Sequence, residues 1–162
     1  MNAPHDIQVP PFDVVGIVAS AGGLEAISIV LADLEDPFGA AIVVGQHLGT
    51  ASELVEILSR RISLPVVWAM DGMVLEAGRV HVAPPRMSLE VLPDRTCALS
   101  PSISPARDRP FNDLLKSMAD SIGERGMAVV LTGMGTDGAG GARAVKAVGG
   151  ARVGQSQEDA DH

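Results

Sequence analysis

The feature that most constrains this chain is a repeated alternation. A short unbroken apolar run is followed by a turn, then by a segment with apolar residues three and four apart. "VVGIVA" (14–19) leads into "GLEAISIVLADL" (23–34), and "AIVVGQ" (41–46) leads into "ASELVEILSRRI" (51–62), after which comes "PVVWAM" (65–70). Continuous apolar runs suit strands buried on both faces. Leu24, Ile27, Val30, Leu31 and Leu34 fall on one helical face. This rhythm predicts an α/β fold, doubly wound, with a mainly parallel sheet and helices on both faces.

The middle of the chain breaks the rhythm. "RVHVAPP" (79–85), "MSLEVLP" (87–93) and "TCALSPS" (96–102) read as short strands divided by Pro, Asp and Gly turns. They predict an antiparallel insertion with a hairpin around Pro93 and Asp94. The rhythm then returns: a helix in "PFNDLLKSMADSIG" (110–123), a strand in "MAVVLT" (127–132), the loop "GMGTDG" (133–138), a helix in "AGGARAVKAVG" (139–149) and a last strand in "ARVGQ" (151–155). Residues 1–11, with three prolines, are expected to be a disordered leader. Residues 12–162 are expected to form one domain, a size that one hydrophobic core serves well.

Composition removes several function classes. Twelve basic residues against twenty acidic ones give a net charge of −8, and there are only three Phe, one Trp and no Tyr. Such a chain lacks both the electrostatic footprint and the stacking surface that nucleic acid requires. No apolar run reaches the length of a membrane span, and the first residues lack the regions of a signal peptide, so no membrane insertion and a cytoplasmic location are expected. The single Cys97 excludes an intramolecular disulfide and reads as a small buried hydrophobe.

In a parallel sheet the loops after the carboxyl ends of the strands gather along one edge, where such folds place ligands. Three of those loops carry a chemically useful side chain: Ser20 after "VVGIVA", His47 after "AIVVGQ" and Asp137 in the loop after "MAVVLT". These are the types needed for a nucleophile, a general base and an orienting carboxylate. A serine hydroxyl attacks only when a neighbouring imidazole takes its proton, and a carboxylate fixes the tautomer of that imidazole. Glycines after the serine bring backbone N–H groups toward a developing oxyanion. Taken singly, each has a plainer reading. Ser20 suits a helix cap, His47 a satisfied loop histidine, and Asp137 a turn or cap residue. His81 lies inside a strand and reads as packed or exposed, while His5 and His162 lie in the tails.

Two motif tests bear on the choice. The α/β-hydrolase elbow requires Gly two residues before the serine, where this chain has Val18, and the order Ser…His…Asp also differs from that fold's. Gly133, Gly135 and Gly138 satisfy a dinucleotide-binding spacing, with Glu158 about 20 residues further on. Against that reading, the motif sits in the last βα unit, and the strand after it is weakly apolar.

Together, "GIVASAGGLEAI", "IVVGQHL", "VHVAPP", "RPFNDLL" and "VVLTGMGTDGAGGARAVKAVGG" resemble the catalytic domain of the bacterial chemotaxis protein-glutamate methylesterases, the CheB family. The resemblance runs from about Val14 to about Asp159. It implies hydrolysis of glutamyl methyl esters on the signalling helices of methyl-accepting chemoreceptors, with deamidation of receptor glutamines in many members. It implies Ser20 as nucleophile, His47 as general base and acid, and Asp137 as orienting carboxylate. The backbone N–H of Met134, with Ala21 as second donor, would hold the oxyanion, and Arg109 would contact substrate. No metal and no cofactor are implied.

Some residues depart from the family pattern. Ala21 stands where relatives usually have Thr, and "RPFND" replaces the usual "RPSVD", which puts Phe111 and Asn112 at the cleft. Most relatives carry an N-terminal phosphoacceptor domain. They also continue past the point matching His162 with a segment that packs near the site, so the domain is expected to be truncated at its C-terminus. A phosphoacceptor or methyltransferase domain in a longer protein is therefore an expected partner. The alternative to an active esterase is a catalytically silent module of the same fold that serves regulation or interaction.

Overall fold

A computed structural model describes residues 12–20, 23–46, 53–102, 109–131 and 137–154. Strands are β1 (Val14–Ala19), β2 (Ala41–Gln46), β3 (Val66–Trp68), β4 (Val80–Val82), β5 (Met87–Val91), β6 (Cys97–Pro101), β7 (Gly126–Leu131) and β8 (Ala151–Gly154). Helices are α1 (Leu24–Ala32), α2 (Leu54–Arg61), α3 (Pro110–Ile122) and α4 (Ala139–Ala147). Six strands form one parallel sheet in the order β3-β4-β2-β1-β7-β8, and β5 and β6 form a separate antiparallel hairpin.

The apolar runs become strands because both their faces are covered. Every residue of β1 is buried. On one face, Ile17, Ile42 and Val44 pack with Ile27 and Leu31 of α1 and Leu54 and Leu58 of α2. On the other, Val14, Val18 and Val43 pack with Phe111, Leu114, Leu115 and Met118 of α3 and Ala142 and Val145 of α4. The hairpin hangs on α3. Val91 at the end of β5 donates its N–H to Ser117 Oγ at 2.8 Å and accepts from Ser121 Oγ at 2.7 Å.

One expectation is corrected. "RVHVAPP" does not join the antiparallel insertion: its strand β4 pairs in parallel with both β2 and β3 and lies between them. All three of its residues are buried, as suits a strand with partners on both sides. His81 is there as a packed residue. Its Nδ1 lies 2.9 Å from the Ile42 carbonyl oxygen, and its Nε2 accepts the Glu76 N–H at 3.2 Å. That pairing fixes the neutral tautomer with the proton on Nδ1. Burial holds its pKa below the ordinary imidazole value. Cys97 is fully buried, as expected, with its thiol toward the Met70 carbonyl and its pKa pushed up by burial.

At the amino ends of the strands, Asp13 receives both Nε and Nη2 of Arg125 at 2.9 and 3.0 Å, and Nη2 of Arg95 at 2.7 Å. This ties the starts of β1 and β7 to the hairpin turn. An apolar cavity lined by Phe12, Val15, Val30, Leu34 and Met127 opens at the same end. It carries no chemistry of its own.

Candidate active site

The three loops singled out above follow strands that finish at the other end of the sheet. Ala19 stands opposite Gln46 in β2 and opposite Leu131 in β7, so the three central strands end level with one another. Neighbouring strands lie about 4.8 Å apart. Ser20 follows Ala19 directly, and His47 is the next residue in sequence after Gln46. His47, Ala21 and Met134 lie outside the described residues.

Ser20 is half-buried at the end of β1. It does not hold the cap position of the helix that follows. Gly23, which has no side chain to offer, is the N-cap of α1. The Ser20 carbonyl accepts the Gly23 N–H at 3.0 Å, which closes the turn through the backbone. The plainer reading of Ser20 as the cap residue thus gives way to Gly23 at that position.

Asp137 does act as a cap, but for another helix. Its Oδ2 accepts the Phe111 N–H at 3.2 Å and its Oδ1 accepts the Asn112 N–H at 2.9 Å. These are the second and third residues of α3, whose own N-cap, Arg109, makes no side-chain cap bond and whose first residue, Pro110, has no N–H. Asp137 therefore satisfies the donors that a helix start leaves unpaired. The N-terminus of a 13-residue helix also favours a carboxylate. A carboxylate oxygen carries two lone pairs and can accept more than one hydrogen bond.

Asn112 returns the arrangement. Its Oδ1 accepts the N–H of Gly138 at 2.9 Å and of Gly141 at 2.8 Å, at the start of α4. Gly138 has φ +101°, a left-handed conformation that glycine adopts without strain. Phe111 completes the frame. A Cβ added at Gly45, two residues before His47, would stand 3.3 Å from its ring, and one added at Gly138 would stand 3.5 Å from its Cβ. One side chain of α3 thus touches both the β2 loop base and the turn that bears Asp137. Arg109 is exposed at the N-cap of α3, two residues before the first N–H that Asp137 holds.

The dinucleotide reading of "GMGTDG" meets an obstacle here. Phosphate binding at a helix start needs its N–H groups for the anion. At α4, Gly138 and Gly141 already give theirs to Asn112. Asn112 and Phe111 are the residues whose roles the sequence did not disclose. The one local signal was the "AGG" opening of α4, which asks for a close neighbour: a Cβ at Gly141 would stand 2.6 Å from Leu115 Cβ.

The profile of the CheB methylesterase family matches residues 15–162. This chain belongs to the CheB methylesterase family. The CheB catalytic domain of Thermotoga maritima, known from its crystal structure, is 31% identical, superposes with a TM-score of 0.81, and is matched over 91% of this chain and 81% of that one. Among curated relatives, protein-glutamate methylesterase/protein-glutamine glutaminase 3 of Paramagnetospirillum magneticum is 37% identical over 149 residues, which cover 89% of this chain and 41% of the relative. The protein-glutamate methylesterase FrzG of Myxococcus xanthus is 35% identical over 151 residues, covering 91% and 45%. The chain spans less than half the length of both. The parallel sheet and added hairpin of this CheB-family chain agree with the expected fold class. No described helix is long and apolar enough to cross a membrane.

Proposed function

We propose that this chain is the catalytic module of a serine hydrolase that removes methyl esters from glutamate side chains of bacterial chemoreceptors and deamidates receptor glutamines. The observation that supports the reading is the level ending of β2, β1 and β7, the strands that lead into the serine, histidine and aspartate segments. Family membership and the names of the relatives support the substrate class.

In this reading Ser20 Oγ attacks the ester carbonyl while His47 takes its proton. The carbonyl oxygen becomes an oxyanion facing the Met134 and Ala21 N–H groups. Collapse expels methoxide, which leaves as methanol with the proton from His47, and an acyl-enzyme remains. Water then attacks that ester with His47 again as base, freeing glutamate and Ser20. With glutamine, the leaving group is ammonia. Asp137 holds the imidazolium and its tautomer, and Arg109 contacts the substrate. The deciding experiment is methanol release from a methylated chemoreceptor fragment, run beside the Ser20→Ala variant. Release that depends on Ser20 supports the reading; no release from the folded chain refutes it and favours a silent module.

A further inference from the structure

We propose that Asn112 is a positioning residue for this reaction: its side-chain oxygen fixes the turn that carries Asp137, and so sets how the Asp137 carboxylate is presented to the base. The inference rests on the reading of Asp137 as the orienting carboxylate.

The geometry is a closed exchange between two short segments. The Asn112 N–H donates to Asp137 Oδ1, and the next residue after Asp137, Gly138, donates its N–H back to Asn112 Oδ1. A second donor, Gly141 N–H, shares that oxygen. Both partners are donors, so the amide oxygen must face them, which fixes the rotamer chemically. Asn112 is only 8% exposed, so water cannot readily stand in for it. The surroundings allow little slack, since a Cβ at Gly141 would lie 3.1 Å from the Asn112 Cα and carbonyl oxygen.

Without the amide oxygen, two buried N–H groups would lose their acceptor and the 137–138 turn would shift to find others. Asp137 would move with it. Loss of alignment at a reacting centre lowers the chemical step, whereas a purely structural asparagine would cost stability alone.

The test compares four chains in the methanol-release assay: the parent, Asn112→Leu, Asp137→Asn and the double variant. Leucine matches the shape and removes the acceptor. Asn112→Asp, which keeps an oxygen facing both donors, is the rescue control. Asn112→Leu is expected to lower kcat by about 10- to 100-fold with KM within about twofold. Asn112→Asp is expected to stay within about fivefold of the parent. In the Asp137→Asn background, adding Asn112→Leu is expected to change kcat by less than about threefold, because its effect acts through Asp137. Parental kcat for Asn112→Leu while Asp137→Asn is slow, or a full independent loss in the double variant, overturns this inference alone. Parental kcat for Asp137→Asn overturns the underlying reading instead. If Asn112→Leu does not fold, Asn112→Ser, too short to reach both donors, carries the same comparison with the same expected loss.

Discussion

Gly23 sits three residues beyond Ser20, holds the N-cap of α1, and donates its N–H to the Ser20 carbonyl oxygen at 3.0 Å. The backbone closes this turn, and Gly23 rather than Ser20 holds the cap position. Ser20→Ala should therefore leave unfolding free energy within about 0.5 kcal/mol of the parent. A lost cap would instead cost about 1 kcal/mol. The same variant should abolish labelling by a covalent serine probe. Denaturant titration and probe labelling on one preparation separate the two roles.

Asp137→Asn should keep the fold and lose the reaction. One carbonyl oxygen remains for the two N–H groups of α3, so the stability loss should be about 1–2 kcal/mol. Turnover should fall by about 10⁴-fold, because the amide no longer enforces the working imidazole tautomer. Near-parental turnover would remove Asp137 from the reaction.

Activity should fall with acidity as His47 gains a proton and can no longer act as base. A rate that stays flat down to about pH 5 would argue against His47 as base. The rates must be read beside melting curves, because a second histidine affects stability in the same range.

That second histidine is His81. Its pKa is lowered in the folded chain by burial, so the unfolded chain binds the proton first as pH falls. Stability is fully present above the ordinary imidazole value and is lost as pH drops from there toward the folded value. Asp13 has its own window lower down. Hydrogen bonds from Arg125 hold its pKa below the ordinary Asp value, so its contribution is present above that value and is lost on further acidification. Tm should therefore decline from pH 7 to 5, with His81→Gln flattening that decline. Tm should decline again below about pH 4, with Asp13→Asn flattening the second fall. A parental slope in either variant would exclude that residue as the source.

Gly141→Ala should destabilise even though alanine is the better helix former. The new Cβ would stand 2.6 Å from Leu115 Cβ and 3.1 Å from the Asn112 backbone, atoms that cannot turn aside. Overpacking of this kind costs about 1–3 kcal/mol, against a propensity gain of at most about 1 kcal/mol. Chemical denaturation of the variant measures the balance, and a stabilised Gly141→Ala would show that α3 and α4 can part without penalty.

Much of this molecule was legible in order along the chain. The apolar runs "VVGIVA" and "AIVVGQ" and the three-and-four spacing of Leu24, Ile27 and Leu31 named their own strands and helices, because burial period is written in neighbouring residues. The parallel sheet followed from their alternation, and so did the edge where Ser20, His47 and Asp137 would leave it. Tertiary structure decided the rest. "VHV" joined the main sheet because β2 and β3 offered partners on both sides, which no property of those three residues announces. Asp137 capped α3 and Asn112 capped α4 across 25 to 29 residues of sequence. Which unpaired N–H group a side chain satisfies depends on what packing brings within about 3 Å, and a local pattern records the need for a partner without recording who meets it.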